Sequence, residues 1–371
     1  MKPKVLMITD VKFWLNAAGS FSRISTLVSY LSHQSYLTVV VLIKSEQEHT
    51  TVSLPNINVI FLLNANDHDK KSNLAAVHNL LSFDNYKYCI IEYINHAYFL
   101  SSIPDHVLTM LDVHDIISDR NATFKELGYS FNKDELVRTT EYKIYSYFDY
   151  VIFISKKDYD KSLALLPSEK AVLAPHPVSV VNNQFRERAK VVGFIASDYF
   201  PNVDSIVWFL ENVWCDIQES SDLVLHIYGL VCRRIPQRFA ELDNVLLKGF
   251  IPDCNKIYND IDIIINPVRA GAGIKIKNIE ALANGLPLIT TAHGSSGLEG
   301  GMHDAFVVAD NPRVFKDKLI EISRDNRLRK RLATNAKSFI KRNFSEEVCF
   351  SKITDILATD SINNEPKQPI T

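Results

Sequence analysis

Short, continuous apolar runs recur along this 371-residue chain, separated by segments of helical periodicity, and the series runs twice. A strand that is apolar at every position has no face to give to water. Such runs therefore belong to a parallel sheet covered by helices on both sides. The first series predicts strands at Val5–Thr9, Leu37–Ile43, Ile57–Leu63, Tyr88–Tyr93, Val107–Val113, Tyr150–Ile154 and Val172–Ala174. Between them, helices are expected at Phe21–Leu31, Leu74–Leu81, Asp134–Tyr147 and Lys156–Leu165. Ala174-Pro-His-Pro-Val178 then breaks the pattern, because two prolines forbid regular structure, and a polar, charged stretch follows. The series restarts with strands at Val191–Ile195, Leu223–Tyr228, Val245–Lys248, Ile261–Asn266, Leu286–Thr290 and Phe306–Val308. Its helices are expected at Val203–Val213, Lys277–Asn284, Val314–Ser323 and Arg327–Arg342, with a last amphipathic one at Glu346–Leu357.

The expected organisation is α/β throughout: an N-terminal domain over 1–178, a C-terminal domain over 179–345, a final helix over 346–357 and a disordered polar tail over 358–371. A single core rarely grows past about 250–300 residues, which agrees with two domains. Open parallel sheets bind ligands beyond the carboxyl ends of their strands, so two in tandem predict a ligand cleft between them.

Charge and cysteine content exclude several function classes. The formal net charge of −2 provides no global field for nucleic acid. Five cysteines, Cys89, Cys215, Cys232, Cys254 and Cys349, are odd in number, far apart and without a C-x-x-C pair. That argues against a disulfide framework and against a zinc site. The apolar run near Met1 is too short for a signal peptide, and no stretch reaches the roughly 20 residues of a membrane span. A cytoplasmic protein is expected, with peripheral contact at the inner face of the membrane as the membrane association left open.

The densest chemistry lies in Ile263-Ile-Ile-Asn-Pro-Val-Arg-Ala-Gly-Ala-Gly-Ile-Lys-Ile-Lys-Asn-Ile-Glu-Ala-Leu-Ala-Asn-Gly-Leu-Pro-Leu-Ile-Thr-Thr291. It reads as strand, glycine loop, helix, glycine stop and strand. Gly271 and Gly273 let backbone N–H groups approach an anion, and the helix start adds the positive end of its dipole. Lys275 and Lys277 add two full charges there. Lys277, Glu280 and Asn284 share one helical face, while Ile276, Ile279 and Ala283 form the core stripe. Two lysines on a glycine loop fit a diphosphate, and a carboxylate one turn on can accept both hydroxyls of a ribose. The competing reading is a plain glycine turn with solvated lysines and a surface Glu–Lys pair. The third glycine of a dinucleotide fingerprint is missing.

The run from Gly271 to Leu298 resembles the donor-binding signature of retaining GT-B glycosyltransferases, the large family four (glycosyl transferases group 1) that builds bacterial polysaccharides and glycolipids. Ser197-Asp-Tyr-Phe-Pro-Asn-Val-Asp-Ser-Ile-Val-Trp-Phe209 and Leu111-Asp-Val-His-Asp-Ile-Ile-Ser-Asp-Arg120 resemble two further segments of that family. The resemblance implies two Rossmann-like domains facing a cleft. It also implies transfer of a sugar from a nucleoside-diphosphate-sugar to a hydroxyl of a glycan or lipid-linked acceptor, with retained configuration and no metal or other cofactor. Glu280 matches the second glutamate of the family's paired-glutamate motif and would bind the ribose; the first falls at Ala272 and is missing. The Arg and Lys that many members carry after the first C-domain strand are absent from Ile195–Trp208, so Lys275 and Lys277 are expected to supply that charge.

By the same resemblance, His114 at a strand end would lie near the transferred sugar, making His114, Lys275 and Lys277 the expected catalytic residues. Gly19, Gly271, Gly273, Glu280, Thr291 and Gly294 are expected at the donor, and Asp115 and Arg120 at the acceptor. On residue chemistry alone alternatives stay open. Gly19 fits a plain turn, Asp115 fits either the His114 ring or a helix cap, and Arg120 fits an ion pair with Asp119 or Glu126. Asn202 suits a helix cap, His176 suits packing, and the Tyr142–Tyr150 aromatics suit a core. Two other classes remain: a non-catalytic nucleotide-sugar-binding partner subunit, and an epimerase or phosphorylase on the same architecture.

Overall fold

The computed structural model describes residues 2–15, 19–52, 54–129, 136–183, 185–218 and 221–358. The chain divides into two compact units. Unit 1 is Met1–Ser118, Asn132–His176 and Cys349–Thr371; unit 2 is Asp119–Phe131 and Pro177–Val348. The division falls between His176 and Pro177, inside the proline pair. The described residues 119–129, placed by the sequence pattern in the N-terminal domain, pack with unit 2.

Unit 1 is built on β1 (Lys4–Thr9), α1 (Ser20–Gln34), β2 (Tyr36–Ile43), β3 (Ile57–Leu63), α2 (Asp67–Phe83), β4 (Tyr86–Glu92) and β5 (Leu108–Val113). The chain continues through α3 (Ile117–Glu126) into α4 (Arg138–Ser146), β6 (Tyr150–Phe153), α5 (Lys156–Ser162) and β7 (Ala171–Leu173). The seven strands are all parallel, in the order β3-β2-β1-β4-β5-β6-β7. Order reverses between β1 and β4, and the carboxyl ends of these strands are where a doubly wound sheet leaves a crevice. Seven of the eight residues of β2 are buried, as an all-apolar strand demands. Two helix starts are set by side-chain oxygens. Asn66 and Asp69 form a reciprocal capping box at α2, and Ser155 accepts the Asp158 N–H at α5.

Unit 2 repeats the plan. It contains β8 (Val191–Ile195), α6 (Phe200–Phe209), α7 (Cys215–Gln218), β9 (Val224–Tyr228), α8 (Gln237–Ala240), β10 (Val245–Gly249), α9 (Cys254–Asp260) and β11 (Ile263–Asn266). It ends with α10 (Ile276–Ala283), β12 (Leu288–Thr290), β13 (Val307–Val308), α11 (Pro312–Arg324) and α12 (Asn326–Asn343). The six-stranded parallel sheet has the order β10-β9-β8-β11-β12-β13, with its reversal between β8 and β11. The final helix α13 (Glu346–Ala358) rejoins unit 1 from Cys349 onward. There Phe350 packs 4.6 Å from the Tyr30 ring, and Tyr88 Oη donates to the Ile356 carbonyl at 2.7 Å.

Four departures from the sequence pattern have physical causes. The helix expected over Val203–Val213 is α6 followed by a π turn, Leu210–Trp214, and then α7. That turn rotates Leu210, Val213 and Trp214 into the core together, at 0% exposure each. The strand expected to reach Tyr93 stops at Glu92, because Tyr93 has φ 64. α9 and the 3-10 segment Ile94–Ser102, only 7 and 9 residues long, are too short to leave a clear helical period and were not predicted. The helix expected over Asp134–Tyr147 begins, among the described residues, at Arg138; residues 134–135 lie outside them, as does the polar tail beyond Ala358. The Tyr142 and Tyr145 rings are core.

At the end of β9, Gly229 holds φ +97, and a Cβ there would sit 2.1 Å from the Ala196 carbonyl oxygen, a backbone atom that cannot step aside. Both the left-handed backbone and the close approach require glycine. Gly229→Ala is expected to destabilise unit 2 by about 2 kcal/mol or more, measured as a lowered denaturant midpoint with unchanged slope.

Candidate active site

In unit 2 the candidate residues gather beyond the carboxyl ends of β8 and β11, at the reversal of strand order. The loop leaving β11 holds Gly271 at φ 120 and Gly273 at φ 66, conformations that a side chain resists. It is pinned from α3, where Thr123 Oγ1 accepts the Gly271 N–H at 2.9 Å. Arg269 is held at the loop's start by both oxygens of Asp204, each at 2.9 Å, with its guanidinium 5.4 Å from the Trp208 ring centre. Tyr129 Oη donates to the same carboxylate at 2.6 Å.

The two lysines have different surroundings. Lys275 precedes α10, and its ammonium turns back to donate to the Ala272 and Gly273 carbonyls, both at 3.0 Å. Lys277 is half-buried, donates to Asn202 Oδ1 at 3.0 Å, and lies 4.9 Å from the centre of the Phe194 ring. Among the described residues it forms no ion pair. Burial, then the charge of Lys275, pull its ammonium down to about 7. A cation with N–H donors to spare, beside a glycine loop and a helix start, is a place where an anion would be stabilised. One turn on, Glu280 Oε2 accepts the Tyr258 hydroxyl at 2.7 Å. Tyr258 is buried, and burial together with the Glu280 charge holds its phenol protonated, a fixed donor that sets the carboxylate's orientation.

Behind this surface runs a framework of amides and hydroxyls. Asn266 Nδ2 donates to Asn278 Oδ1 at 2.8 Å, and Asn278 Nδ2 donates to the Gly294 carbonyl at 2.9 Å. Thr290 Oγ1 donates to the Asn266 carbonyl, Thr291 Oγ1 to the Val268 carbonyl, and the Gly294 N–H to Thr291 Oγ1. A Cβ on Gly294 would lie 2.1 Å from Thr290 Oγ1. Thr291 and Gly294 thus hold the β11 and β12 loops together from inside. Asn202 does not cap α6, which begins at Phe200; it braces Ser197 and carries Lys277. Arg120 lies on α3 and packs with unit 2, not with the N-terminal domain.

In unit 1 a charged cluster occupies the ends of β4 and β5. Parallel pairing sets Glu92 beside Asp112, so two carboxylates share one buried face. Arg23 of α1, wholly buried, donates to both Asp112 oxygens at 3.1 and 3.2 Å and to the Pro175 carbonyl at 3.0 Å. His114 Nε2 bonds Glu92 Oε2 at 2.9 Å and lies 3.8 Å from Asp112. The Tyr93 ring leans on the imidazole at 4.2 Å. Burial by itself would lower the His114 pKa. The Glu92 hydrogen bond and the charges of Glu92 and Asp112 outweigh it and hold the ring above its ordinary value. Burial and the Asp112 charge push Glu92 up to about 7. Ligand atoms of Glu92, Asp112 and His114 lie within 4.8 Å of one another. With Arg23 on both Asp112 oxygens and Nε2 on Glu92, the cluster is a hydrogen-bonded ion network whose positive charge the protein itself supplies. His176 is buried 3.5 Å from Ser22 Oγ, with its ring pushed down to about 3 by burial and by the charges of Arg23 and His114.

The sequence model of glycosyl transferases group 1 matches residues 189–325, which span the unit 2 sheet and the glycine loop. That stretch is similar to the group 1 glycosyl transferases. The chain is 28% identical over 289 residues to an uncharacterized 44.6 kDa protein in the cps region of Klebsiella pneumoniae, covering 72% of this chain and 73% of that one. Among solved structures it is similar to sucrose-phosphate synthase from Thermosynechococcus elongatus, with a TM-score of 0.77 and 13% identity over 96% of this chain and 98% of that one. It is also similar to Anabaena HepE in complex with UDP and glucose, with a TM-score of 0.68 and 13% identity over 96% and 99%. Both likenesses show the fold, GT-B.

Several side chains of the candidate site escaped sequence reasoning. The carboxylate on His114 is Glu92, twenty-two residues upstream, where Asp115 had been the candidate. The N–H groups of Ile117 and Ser118 at the start of α3 are taken by Glu141, at 2.7 and 2.9 Å. Tyr258 lies on a helix that was not predicted. A charged residue ending an apolar strand, as in Tyr86-Lys-Tyr-Cys-Ile-Ile-Glu92, was the available signal for Glu92. Gly19 keeps φ 73 at the start of α1, where its carbonyl takes the Arg23 N–H at 3.1 Å; residues 16–18 of its loop lie outside the described residues.

Lys277 gives a pH signature. Its folded value near 7 lies below the ordinary 10.5, so between these the unfolded chain binds the extra proton and stability rises with pH. Lys277→Met removes this slope. Urea unfolding from pH 7 to 10 is expected to show the wild type gaining on the variant as pH rises, and a parallel pH dependence would contradict the assignment.

Proposed function

We propose that this chain transfers a hexose-type sugar from a nucleoside-diphosphate-sugar to a hydroxyl of a glycan or lipid-linked acceptor in cell-surface polysaccharide assembly, without a metal and with retained configuration. The observation that carries the reading is Lys277. It is a half-buried ammonium without an ion pair among the described residues, at the mouth of a left-handed glycine loop, one turn before a carboxylate fixed by Tyr258. The family match over this stretch, the UDP and glucose bound by Anabaena HepE and the cps region of the Klebsiella relative all point the same way.

In this reading the diphosphate sits against Lys277, the loop N–H groups and the start of α10, while Glu280 takes the ribose hydroxyls. The bond between the sugar's anomeric carbon and the phosphate oxygen breaks. The acceptor oxygen bonds that carbon from the same face, and the acceptor's proton passes to the departing phosphate. Charge grows on the leaving oxygens in the transition state, which is where a fixed cation and aligned dipoles accelerate the reaction. Lys275 acts on the carbonyl side, clamping the loop, so Lys277 is the principal phosphate cation. His114 lies beside the transferred sugar. Peripheral association at the inner face of the membrane would bring a lipid-linked acceptor to the enzyme; no helix among the described residues is long and apolar enough to cross a membrane.

The experiment is a thermal-shift panel of UDP, GDP, ADP and their hexose conjugates, followed by transfer assays. Ligand at a hundred times its dissociation constant stabilises by about 2.7 kcal/mol. One base is expected to raise the melting temperature, with Lys277→Ala and Glu280→Ala each weakening binding about tenfold or more while both variants remain folded. Unchanged shifts in both would overturn the site. A chelator is expected to leave transfer unaffected. Turnover without acceptor would favour an epimerase or hydrolytic activity, and binding without transfer to any acceptor a partner subunit.

A further inference from the structure

We infer that Glu92 is a positioning residue: it grips His114 by Nε2 and so presents the opposite ring edge, Nδ1–H, to an oxygen of the bound sugar. The inference rests on the reading of His114 as the residue beside the transferred sugar.

The argument begins with charge. Four ionisable groups meet at the ends of β4 and β5: Glu92 and Asp112 from the strands, Arg23 from α1 and His114 following β5. His176, from the segment before Pro177, is the fifth titratable group facing them, and it is neutral, its ring pushed down to about 3 by burial. Arg23 is committed to Asp112 and the Pro175 carbonyl. A second wholly buried carboxylate beside Asp112 needs a second cation, because an unpaired buried charge is among the costliest features a core can hold. His114 is the cation within reach, at 2.9 Å. Burial and Asp112 oppose the charge on Glu92, so Glu92 ionises against a protonated His114, and in that ion pair both ring nitrogens carry protons. Glu92 takes Nε2–H, leaving Nδ1–H as the donor for a ligand.

Geometry supplies a second, independent sign. Tyr93 adopts φ 64, a conformation that costs a non-glycine residue about 1 kcal/mol or more, and its ring lies 4.2 Å from the imidazole at an interplanar angle of 34°. The residue directly after Glu92 thus covers the ring's face while Glu92 fixes its edge. Two neighbours restrain two degrees of freedom of one side chain. The second oxygen of Glu92, Oε1, is buried with no hydrogen-bond partner among the described residues, where the carboxylate's one hydrogen bond is to His114. A group kept only for stability would be better replaced by an amide or an apolar residue.

The test is a histidine titration coupled to kinetics on the full-length protein. The C2–H signal of His114, identified by its loss in His114→Asn, is followed by NMR in wild type, Glu92→Gln and Glu92→Asp. Glutamine keeps the shape and removes the charge. The His114 midpoint is expected to fall by about one unit or more, roughly a tenfold loss in the protonation equilibrium. Transfer in Glu92→Gln is expected to be lost at lower pH than in wild type, as kcat with little change in donor KM, and to recover as the pH is lowered. Glu92→Asp keeps the charge on a shorter arm, so its midpoint stays high while kcat drops. An unmoved His114 midpoint in Glu92→Gln overturns the inference. Should that variant fail to fold, a Glu92→Asp enzyme with wild-type midpoint and undiminished kcat overturns it instead. A fallen midpoint in a protein that transfers no sugar would leave the grip of Glu92 standing and sink the transferase reading alone.

Discussion

The buried guanidinium of Arg23 is the contact on which unit 1 turns. It joins α1 to β5 through Asp112, to the segment before the unit boundary through the Pro175 carbonyl, and to α13 through the face of Phe350 at 5.3 Å. Four pieces of chain that are distant in sequence therefore meet on one cation. Removing one partner of such a buried pair costs on the order of 3–5 kcal/mol, because the other is left charged in a dry interior. Asp112 is buried there because a parallel sheet in this register gives β5 no wet face, and the same register sets Glu92 alongside it. The ion network at the strand ends is thus a direct consequence of strand pairing.

Unit 2 resolves the same topology with neutral groups. At its order reversal the sheet carries Asn266 where unit 1 carries a carboxylate, and amides and hydroxyls tie the loops after β11 and β12 to α10. Positive charge is then left at the surface of this framework, on Lys277. The two units share a plan, and their strand ends are polarised differently: a cluster of paired ions in one, a cation resting on an aromatic ring and an amide in the other. In the proposed chemistry the second suits a leaving diphosphate and the first suits an uncharged sugar hydroxyl.

Most of this was legible in the residue order. Alternating apolar strands and helices gave both sheets, because parallel strands buried on two faces leave a strong signal. Gly271 to Glu280 announced a loop and helix, because glycine spacing and lysine charge are local properties. Pairing across the sheet was not legible: nothing near His114 points to Glu92, and nothing near Glu280 points to Tyr258. Lys275 reads from sequence as a twin of Lys277, yet its stem is placed where the ammonium reaches the loop's own carbonyls. Thr291 and Gly294 read as pocket lining, and what the sequence does not give is that they also bond each other, with Gly294 packed against Thr290. Contacts of that kind depend on long-range packing.

The chain of amides from Asn266 through Asn278 to the Gly294 carbonyl has an evolutionary consequence. Asn278 uses both ends of its amide and Asn266 donates through Nδ2, so an aspartate or leucine at either place would strand a buried partner. Two loops and a helix can therefore change ligand preference only at the tips that face outward, with the interior amide ladder left untouched. Diversity among proteins built this way should accumulate on the rim and leave the hidden rungs alone.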